Sequence, residues 1–345
     1  MNDQSPDPNT PTAESVDSAN GFSWDNLGSP GAGVQLAAWA GTIMAGGNPN
    51  VLGLDPKGNL WSCWLNGSAW QWTNLGQPAG GPLARPMGTV DVNGAANVLV
   101  LDQKGILWTC WLNGSAWQWD SLNQPPTTTR LFTHAGTVVN NGVATAYILD
   151  EKSILWQCAH TNGWQWTNLG QPTGGDMGLT PVAALATQNG SSAFLLDPVG
   201  TLWACWLNQG APVWSTLSQP SGLQAAQPVG AIAVKNQPNV FTLDTKGSLW
   251  TCWQSTTWQW ANLGQPAGAS LFMALGTVKV RDNYAVVLQD DNGMLWNCMY
   301  GGGWQWNKMG QSGNGSLVVS MGTLYADSES YVFGLDAFGN LWSCN

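Results

Sequence analysis

Short runs of Val, Leu, Trp and Thr alternate along the chain with turns rich in Gly, Asn, Asp and Pro. From Met87 to Leu122, for example, the runs MGTVDV, ANVLVLD, ILWTCWL and AWQWDSL are separated by NGA, QKG and NGS turns. β-Branched and aromatic residues favour strands, and Gly and Asn favour tight turns. No helical periodicity competes with this pattern. The sequence therefore predicts four short antiparallel strands in every stretch of about 45 residues.

The same unit recurs seven times. Each copy has an Asp that is followed six residues later by a Trp and eight residues later by a Cys. The Asp residues, spaced by 46 to 48 positions, are Asp55, Asp102, Asp150, Asp197, Asp244, Asp290 and Asp336. A fixed period of this length, with four strands in each repeat, is typical of β-propellers. The sequence predicts an all-β fold, a seven-bladed β-propeller with four antiparallel strands per blade.

The chain is cut in the middle of a repeat. The seventh copy stops at Asn345 before its last strand, and an unattached version of that strand, FSWDNLG, stands at residues 22–28. We therefore expect residues 22–28 to supply the last strand of the last blade. Residues 1–21 are rich in Pro, Asp, Ser and Asn and have almost nothing to bury, so they are predicted to form a flexible polar tail. The propeller is predicted to span residues 22–345 as one domain.

The charge balance limits the classes of partner. Lys and Arg number 10 against 20 Asp and Glu, which gives a net charge of −10. Such a chain repels phosphate backbones and anionic bilayers, and no run reaches the roughly 18 apolar residues of a membrane span. We expect no nucleic-acid partner and no membrane insertion. The first residues lack the basic and apolar regions of a secretory signal, which predicts cytoplasmic synthesis and, for an external role, release by a non-classical route.

Disulfides, metals and catalysis are not expected. The seven Cys occupy one position in seven repeats, too far apart to pair, so they are predicted to be buried, reduced thiols. The only His residues, His134 and His160, occupy different repeat positions and do not converge on a metal. The repeated Asp stands in a D-x-x-G turn, where its side chain can bond the backbone, and is interpreted as a folding device. The sequence therefore predicts no metal, no cofactor and no enzymatic activity.

Of the 24 Trp residues, 23 fall into two classes when the repeats are compared. Two positions hold Trp in every repeat, one after the Asp turn and one as the second Trp of the fourth strand, and these are expected to pack between blades. Two other positions also hold Ala, Met, Asn, Phe or Pro, so the fold does not require Trp there. The Trp residues at these variable positions are Trp64, Trp111, Trp206 and Trp253 after the Cys, and Trp70, Trp117, Trp164, Trp258 and Trp304 in the fourth strand.

The variable Trp residues flank the hairpin between the third and fourth strands. In the first repeat Trp64 precedes this hairpin and Trp70 follows it, with Asn66, Ser68 and Gln71 beside them. The C–H face of a pyranose packs on an indole, and short polar side chains bind its hydroxyls. We therefore expect a partly exposed Trp pair that binds carbohydrate. The alternative is that these Trp residues only pack at the rim of the blades.

These repeats resemble those of a known group of lectins. Units of 46 to 48 residues with D-x-x-G-x-L-W and W-x-W strands look like tectonin and tachylectin-type propellers, and most of all like bacterial seven-bladed lectins that bind fucose and O-methylated sugars. The resemblance covers residues 22–345. It implies several glycan sites between neighbouring blades and assembly into dimers or tetramers. It also implies that the rim Trp residues act with loop residues of the next blade, such as Gln77, Gln171 and Gln265.

The sequence thus predicts a multivalent lectin that recognises fucose, or O-methylated or deoxy sugars, and agglutinates red cells. The sites of copies four and seven are expected to be degenerate, because Pro212 and Asn345 replace Trp there. Two alternatives remain open. One is a protein-interaction propeller whose Trp-lined face holds a peptide or a partner subunit, and the other is a glycoside hydrolase.

Overall fold

Seven four-stranded antiparallel sheets follow one another along the chain. The structure is a computed structural model that describes residues 22–31, 33–126, 129–173, 178–312, 316–326 and 328–345. Each sheet has its strands in chain order, except that the last sheet takes its fourth strand from the beginning of the chain. These sheets are the seven blades of a β-propeller, so the predicted fold class is confirmed. Within the described ranges no helix is long and apolar enough to cross a membrane.

Blades 1 to 4 each consist of four consecutive strands. Blade 1 comprises β2 (Ala38–Ala45), β3 (Asn48–Leu54), β4 (Leu60–Asn66) and β5 (Ala69–Gly76). Blade 2 comprises β6 (Leu83–Val92), β7 (Ala95–Asp102), β8 (Leu107–Asn113) and β9 (Ala116–Asn123). Blade 3 comprises β10 (Leu131–Asn140), β11 (Val143–Asp150), β12 (Leu155–His160) and β13 (Trp164–Gly170). Blade 4 comprises β14 (Thr180–Thr187), β15 (Gly190–Leu196), β16 (Leu202–Asn208) and β17 (Ala211–Thr216).

Blades 5 to 7 repeat the plan. Blade 5 comprises β18 (Ala225–Val234), β19 (Gln237–Asp244), β20 (Leu249–Gln254) and β21 (Trp258–Gly264). Blade 6 comprises β22 (Leu271–Val280), β23 (Asn283–Asp290), β24 (Leu295–Tyr300) and β25 (Trp304–Gly310). Blade 7 comprises β26 (Leu317–Ala326), β27 (Glu329–Asp336), β28 (Leu341–Cys344) and β1 (Trp24–Gly28).

The two ends of the described chain pair in blade 7. The backbone N–H of Ser23 donates to the carbonyl of Asn345 at 2.9 Å, and the N–H of Asn345 donates back to Ser23 at 3.2 Å. The Ser23 hydroxyl also donates to Oδ1 of Asn345 at 2.6 Å. β1 therefore forms the edge strand beside β28, which confirms that the segment at residues 22–28 completes the last blade. The predicted polar tail, residues 1–21, lies outside the described residues.

The described chain divides into two compact units. One comprises residues 26–217 and 338–341 and contains blades 1 to 4. The other comprises residues 22–25, 218–337 and 342–345 and contains blades 5 and 6 with most of blade 7. The prediction of a single domain over residues 22–345 stays a prediction.

A Gly-Thr pair in the first strand of a blade joins it to its neighbour. Thr89 donates its hydroxyl to the carbonyl of Thr42 at 2.8 Å, and Thr137 donates to Thr89 at 2.6 Å. In the other unit Thr323 donates to Thr277 at 2.6 Å. A Cβ at Gly41 would lie 2.6 Å from the Thr89 side chain. Glycine is needed there because the neighbouring strand approaches its backbone so closely.

The repeated Asp holds its own turn together. In blade 1, Oδ1 of Asp55 accepts the backbone N–H groups of Lys57 and Asn59 at 2.9 Å, and Oδ2 accepts the indole N–H of Trp61 at 3.0 Å. Burial alone would raise the pKa of Asp55, but the hydrogen bonds from Asn59, Trp61 and Lys57 lower it below its ordinary value. The Trp-to-Asp bond also occurs at Trp108, Trp156, Trp203, Trp250, Trp296 and Trp342.

In five blades the second Trp of the fourth strand ties its blade to the preceding one. Its indole N–H donates to a backbone carbonyl near the end of the fourth strand of that preceding blade. The pairs are Trp72 with Leu27, Trp119 with Leu75, Trp166 with Leu122, Trp214 with Leu169 and Trp306 with Leu263, at 2.8 to 3.2 Å. These bonds confirm that this Trp is part of the packing between blades.

The seven Cys side chains are buried and free, at the same position in each blade. Burial raises the pKa of Cys63 and Cys158 to about 12, and it raises the pKa of the other five thiols as well. A thiol with such a pKa carries little thiolate at neutral pH and reacts slowly. The Cys residues thus serve as small apolar side chains in the core.

Candidate functional site

Each blade has two ends, and they carry different groups. We call the end where the third and fourth strands are joined the hairpin end; in blade 1 it lies at residues 66–69. The opposite end, with the Asp turn, is the Asp end. Trp64 and Trp70 lie near the hairpin end, whereas Gln77 follows β5 at the Asp end. The strands between these two positions rise by about 3.3 Å per residue, so the two ends of a blade are well separated.

Trp64 and Trp70 lie on opposite faces of blade 1. The register between β4 and β5 pairs Trp64 with Gln71 and Leu65 with Trp70. Because side chains alternate between the faces of a strand, Trp64 shares a face with Gln71 and Thr73, while Trp70 shares a face with Cys63 and Trp72. Trp111 and Trp117 of blade 2 are separated in the same way. The expected Trp pair across one hairpin is therefore wrong.

The structure instead brings Trp side chains of adjacent blades to the same junction. Trp117 and Trp119 pack against a buried cluster that contains Leu52 and Leu60 of blade 1. Trp64 lies on the same face of blade 1 as these two Leu residues, because Leu52 pairs with Ser62 in the register that pairs Asn50 with Trp64. Junction 1–2, the space between blades 1 and 2, thus has Trp64 on one side and Trp117 on the other. Both side chains are half-buried.

Junction 2–3 is built in the same way. Trp164 and Trp166 of blade 3 pack against a buried cluster that contains Leu99 and Leu107 of blade 2. Trp111 shares the face of these Leu residues, because Asn97 pairs with Trp111 and Leu99 with Thr109. Trp111 and Trp164 are half-buried on the two sides of this junction. Two successive junctions therefore present two partly exposed indoles at the hairpin end.

At both junctions a polar side chain of the fourth strand accepts a hydrogen bond from the indole of the third-strand Trp. The indole N–H of Trp64 donates to Oγ1 of Thr73 at 3.0 Å, and that of Trp111 donates to Oδ2 of Asp120 at 2.6 Å. Gln71 and Gln118 lie between these partners and the hairpin and are exposed. Their amides can bind a ligand's hydroxyl groups. Thr73 and Asp120 were not predicted as site residues from the sequence, although each is the second residue after the Gln that pairs with the Trp.

The junctions between other blades differ. At junction 3–4 the equivalent positions hold Ala159 and Pro212, so no indole pair forms. The expected degeneracy of copy four stays a prediction. At junction 6–7 Met299 and Phe22 pack beside Trp24 against one buried cluster. Of junctions 1–2, 2–3, 3–4 and 6–7, the first two therefore have an indole from each of these positions, and the other two do not.

Trp304 is a core residue and offers no surface to a ligand. Its side chain is 0 % exposed. Phe241 of blade 5 meets its ring edge-on at 5.3 Å between centroids, and Tyr300 meets it in a tilted arrangement at the same distance. Blade 1 has the smaller Leu52 where blade 5 has Phe241, so aromatic side chains fill the space at junction 5–6. The expectation that Trp304 is partly exposed was wrong.

The predicted Gln residues do not lie in one site with the variable Trp residues. Gln77 donates its amide to the carbonyl of Lys57 at 2.9 Å, within the Asp turn of its own blade, and Gln171 donates to Lys152 in the same way. Gln265 lies beside Gly247 of the equivalent turn in blade 5. Gln124 and Gln311, which were not among the predicted site residues, make the same bond. These Gln side chains close turns at the Asp end, whereas Trp64, Trp117 and the other variable Trp residues lie near the hairpin end.

The remaining predicted Trp residues are Trp206, Trp253 and Trp258. All three are half-buried. Trp253 packs against the buried cluster that includes Trp304, so its surroundings belong to the filled junction 5–6. Among the described residues no group of three or more His, Cys, Asp or Glu side chains is placed to hold a metal ion.

Comparison with known proteins supports the fold. No family model and no curated protein matches the sequence. The BP39L lectin of Burkholderia pseudomallei is 17% identical, with 89% of this chain and 96% of the lectin covered and a TM-score of 0.63. The Aleuria aurantia lectin in complex with alpha-methyl-L-fucoside is 12% identical, with 79% and 96% covered and a TM-score of 0.53. BBS1N in complex with ARL6DN is 14% identical, with 93% and 96% covered and a TM-score of 0.59.

Identities this low concern the fold alone. The expected resemblance to propeller lectins is confirmed at that level, because two of these structures are lectins. BBS1N, whose structure is of a complex with ARL6DN, has a similar score, so fold similarity does not identify the ligand of this chain.

Proposed function

We propose that this protein is a lectin without catalytic activity, which binds sugars between adjacent blades at the hairpin end. The observation that carries the proposal is the placement of Trp64 and Trp117 on facing sides of junction 1–2, repeated by Trp111 and Trp164 at junction 2–3. Two half-buried indoles beside exposed Gln amides combine an apolar platform with hydrogen-bonding groups. A pyranose has both kinds of surface, because its C–H groups face one way and its hydroxyls point outward.

The sugar class follows from what an indole can cover. A methyl or O-methyl substituent adds apolar surface that packs on Trp, whereas an extra hydroxyl must be desolvated. We therefore propose fucose or O-methylated sugars on glycans as the ligands. One monosaccharide buries little surface, so each site should bind weakly, with a Kd of tens of micromolar to millimolar by order of magnitude. Several sites on one chain raise the apparent affinity for a glycan-covered surface by roughly a hundredfold.

Two further features belong to the same proposal. Assembly into dimers or tetramers would increase the number of sites that face one surface. Synthesis in the cytoplasm suits seven free, buried thiols, because a reducing compartment keeps Cys unpaired. The Asp carboxylates of the turns accept the indole and backbone N–H groups described above, so they are occupied in holding the fold rather than free to act as acids or bases on a glycan.

The test asks whether sugar binding depends on Trp64 and Trp117, which face each other across junction 1–2, or on Trp64 and Trp70, which flank one hairpin. Trp117→Ala should remove binding at junction 1–2, as Trp64→Ala should, and both should leave junction 2–3 intact. Trp70→Ala is the matched control, because Trp70 lies on the other face of blade 1 from Trp64. A glycan array identifies the sugar, and calorimetry then counts the sites lost in each variant. Loss of a site on Trp70→Ala with full binding by Trp117→Ala would overturn the assignment.

A protein-interaction propeller is the second candidate, and two exposed aromatic side chains in separate blades favour it. Phe132 and Phe272 are the second residues of the first strands of blades 3 and 6, and their side chains are 48% and 49% exposed. Phe is enriched at protein–protein interfaces relative to the rest of a protein surface, so these side chains are candidates for contact with a partner. A silent glycan array, together with a stable complex that is weakened by Phe132→Ser or Phe272→Ser, would support this candidate over the lectin.

A further inference from the structure

Junction 2–3 differs from junction 1–2 by one charge. At junction 1–2 the indole N–H of Trp64 is bound by the neutral hydroxyl of Thr73, whereas at junction 2–3 the indole N–H of Trp111 is bound by the carboxylate of Asp120. Asp120 pairs with Thr109 in the register of β8 and β9, so it lies on the face that blade 2 turns toward blade 3. Its side chain is exposed, and no basic side chain of the described residues forms an ion pair with it.

A carboxylate at this place changes what the indole attracts. Hydrogen bonds polarise the groups that they join, so donation to a carboxylate shifts electron density into the indole ring of Trp111. An electron-rich ring attracts a cation more strongly over its face, and Trp is already the best aromatic side chain for such a contact. The carboxylate adds its own attraction at short range. Trp111 and Asp120 together therefore form a partial cation site.

The opposite side of the junction adds a second aromatic group. The ring of His160 lies edge-on to Trp164, with 5.4 Å between centroids and 73° between planes. At junction 1–2 this position holds Leu112. The groups that face the space at junction 2–3 from blades 2 and 3 are thus Trp111, Asp120, Gln118, Trp164 and His160, of which Asp120 and His160 carry titratable side chains.

Junction 5–6 shows how this chain uses the equivalent place. There the ammonium of Lys235, at the tip of the first hairpin of blade 5, lies 5.2 Å from the ring centroid of Tyr300, the residue equivalent to His160. Blade 5 has Ala261 where blade 2 has Asp120, and blade 2 has Asn93 where blade 5 has Lys235. Junction 5–6 thus has the ammonium of Lys235 but no carboxylate at the position of Asp120. Junction 2–3 has the carboxylate but no ammonium at the position of Lys235.

We infer that junction 2–3 prefers a sugar residue that carries a protonated amine, with the ammonium held between the face of Trp111 and the carboxylate of Asp120. Junction 1–2, with Thr73, prefers a neutral sugar. The inference rests on the proposed lectin function and divides its sites into two classes. A glycan that displays both a free amino sugar and a neutral deoxy or O-methylated sugar would then bind through two junctions at once.

The experiment reads each junction separately in the full chain. The protein is labelled with 5-fluorotryptophan, and the fluorine resonances of Trp64 and Trp111 are assigned from Trp64→Phe and Trp111→Phe. Glucosamine, which carries a free amine, is titrated at mildly acidic pH and compared with N-acetylglucosamine, which does not. Glucosamine should shift the Trp111 resonance with a Kd about fivefold lower than that of N-acetylglucosamine, and the Trp64 resonance should show no such preference.

Two variants test the carboxylate itself. Asp120→Asn keeps an acceptor for the indole N–H but removes the charge, and it should abolish the preference for glucosamine at Trp111. Thr73→Asp should create that preference at Trp64. If neutral sugars shift both resonances and glucosamine is not preferred at Trp111, the inference is wrong and the lectin function stands. If no sugar shifts either resonance, the lectin function and the inference both fail.

Discussion

Trp306 donates its indole N–H to the backbone oxygen of Leu263 in the preceding blade at 2.8 Å. Trp304 stands two residues earlier on the same face of β25, is fully buried, and has no hydrogen-bond partner for its indole N–H among the described residues. The two side chains thus share a strand, a face and a buried setting, and differ in one hydrogen bond. They separate the contribution of that bond from the contribution of ring packing.

Trp306→Phe should therefore destabilise the protein more than Trp304→Phe does. Both variants lose the same part of an indole, but only Trp306→Phe leaves the buried carbonyl of Leu263 without its donor. The difference in the free energy of unfolding should be about 1–3 kcal/mol. Urea unfolding, or thermal unfolding where it is reversible, measures it. Equal losses in the two variants would show that the bond contributes nothing beyond packing.

Acid should weaken the Asp turns. Because its hydrogen bonds lower the pKa of Asp55 below the ordinary value of 3.8, the stability that it contributes is complete above that value and is lost as the pH falls through the lower pKa of the folded state. Asp55→Asn keeps an acceptor but loses the charge, and should cost about 1–3 kcal/mol at neutral pH. The difference between wild type and variant should shrink below pH 3.8.

The control for this experiment is Asp282→Asn, because Asp282 is exposed and makes no side-chain hydrogen bond among the described residues. It should unfold as the wild type does at neutral pH. A constant gap between the wild type and Asp55→Asn from neutral pH to pH 3 would contradict the role of the charge.

The architecture could be predicted from the sequence because the contacts that shape each repeat are local in sequence. Asp55 bonds residues two, four and six positions later, so the turn and the Trp beside it are local and appear as a motif. The closing strand was also predictable, since residues 22–28 match a strand that the last repeat lacks. Seven copies of one local pattern leave few alternatives to a propeller.

The faces of the Trp residues were harder to predict, although the information was present. Asn66 pairs with Ala69 across a two-residue turn, and counting back from that pair sets Trp64 opposite Gln71 rather than Trp70. Residues that look adjacent around a hairpin therefore point to opposite sides of the sheet. Counting the register would have assigned Trp64 and Trp117 to one junction and would have found Thr73 and Asp120.

Two features could not be predicted from one repeat alone. Trp304 is buried because Phe241 and Tyr300, far apart in sequence, both reach its ring. The Gln of the LGQP turn bonds its own blade because the fourth strand returns to the Asp end, 20 residues after Lys57 in the case of Gln77. Contacts of this kind depend on how blades stack and on side-chain volumes at distant positions.

The thiols should react only after unfolding. Burial raises the pKa of Cys63 to about 12 and leaves no accessible sulfur at the other six positions either. The native protein should therefore take up no thiol reagent within minutes, and seven equivalents after denaturation. Its melting temperature should be the same with and without reductant. Mass spectrometry that finds a disulfide in freshly purified protein would contradict both expectations.

The pairing of Ser23 with Asn345 predicts how the chain tolerates shortening. Removal of residues 1–19 leaves β1 and the paired Ser23 in place, so the melting temperature should not change. Removal of residues 1–29 exposes β28 as an unpaired edge and removes Phe22 and Trp24 from the cluster that they pack against. An exposed apolar edge pairs with other chains, so this variant should melt at a clearly lower temperature or aggregate.

Light scattering and thermal unfolding of the two variants side by side measure the effect. Adding a synthetic peptide of residues 20–30 to the shorter chain should restore part of the stability. Equal melting temperatures for the two variants would show that β1 is dispensable for the last blade.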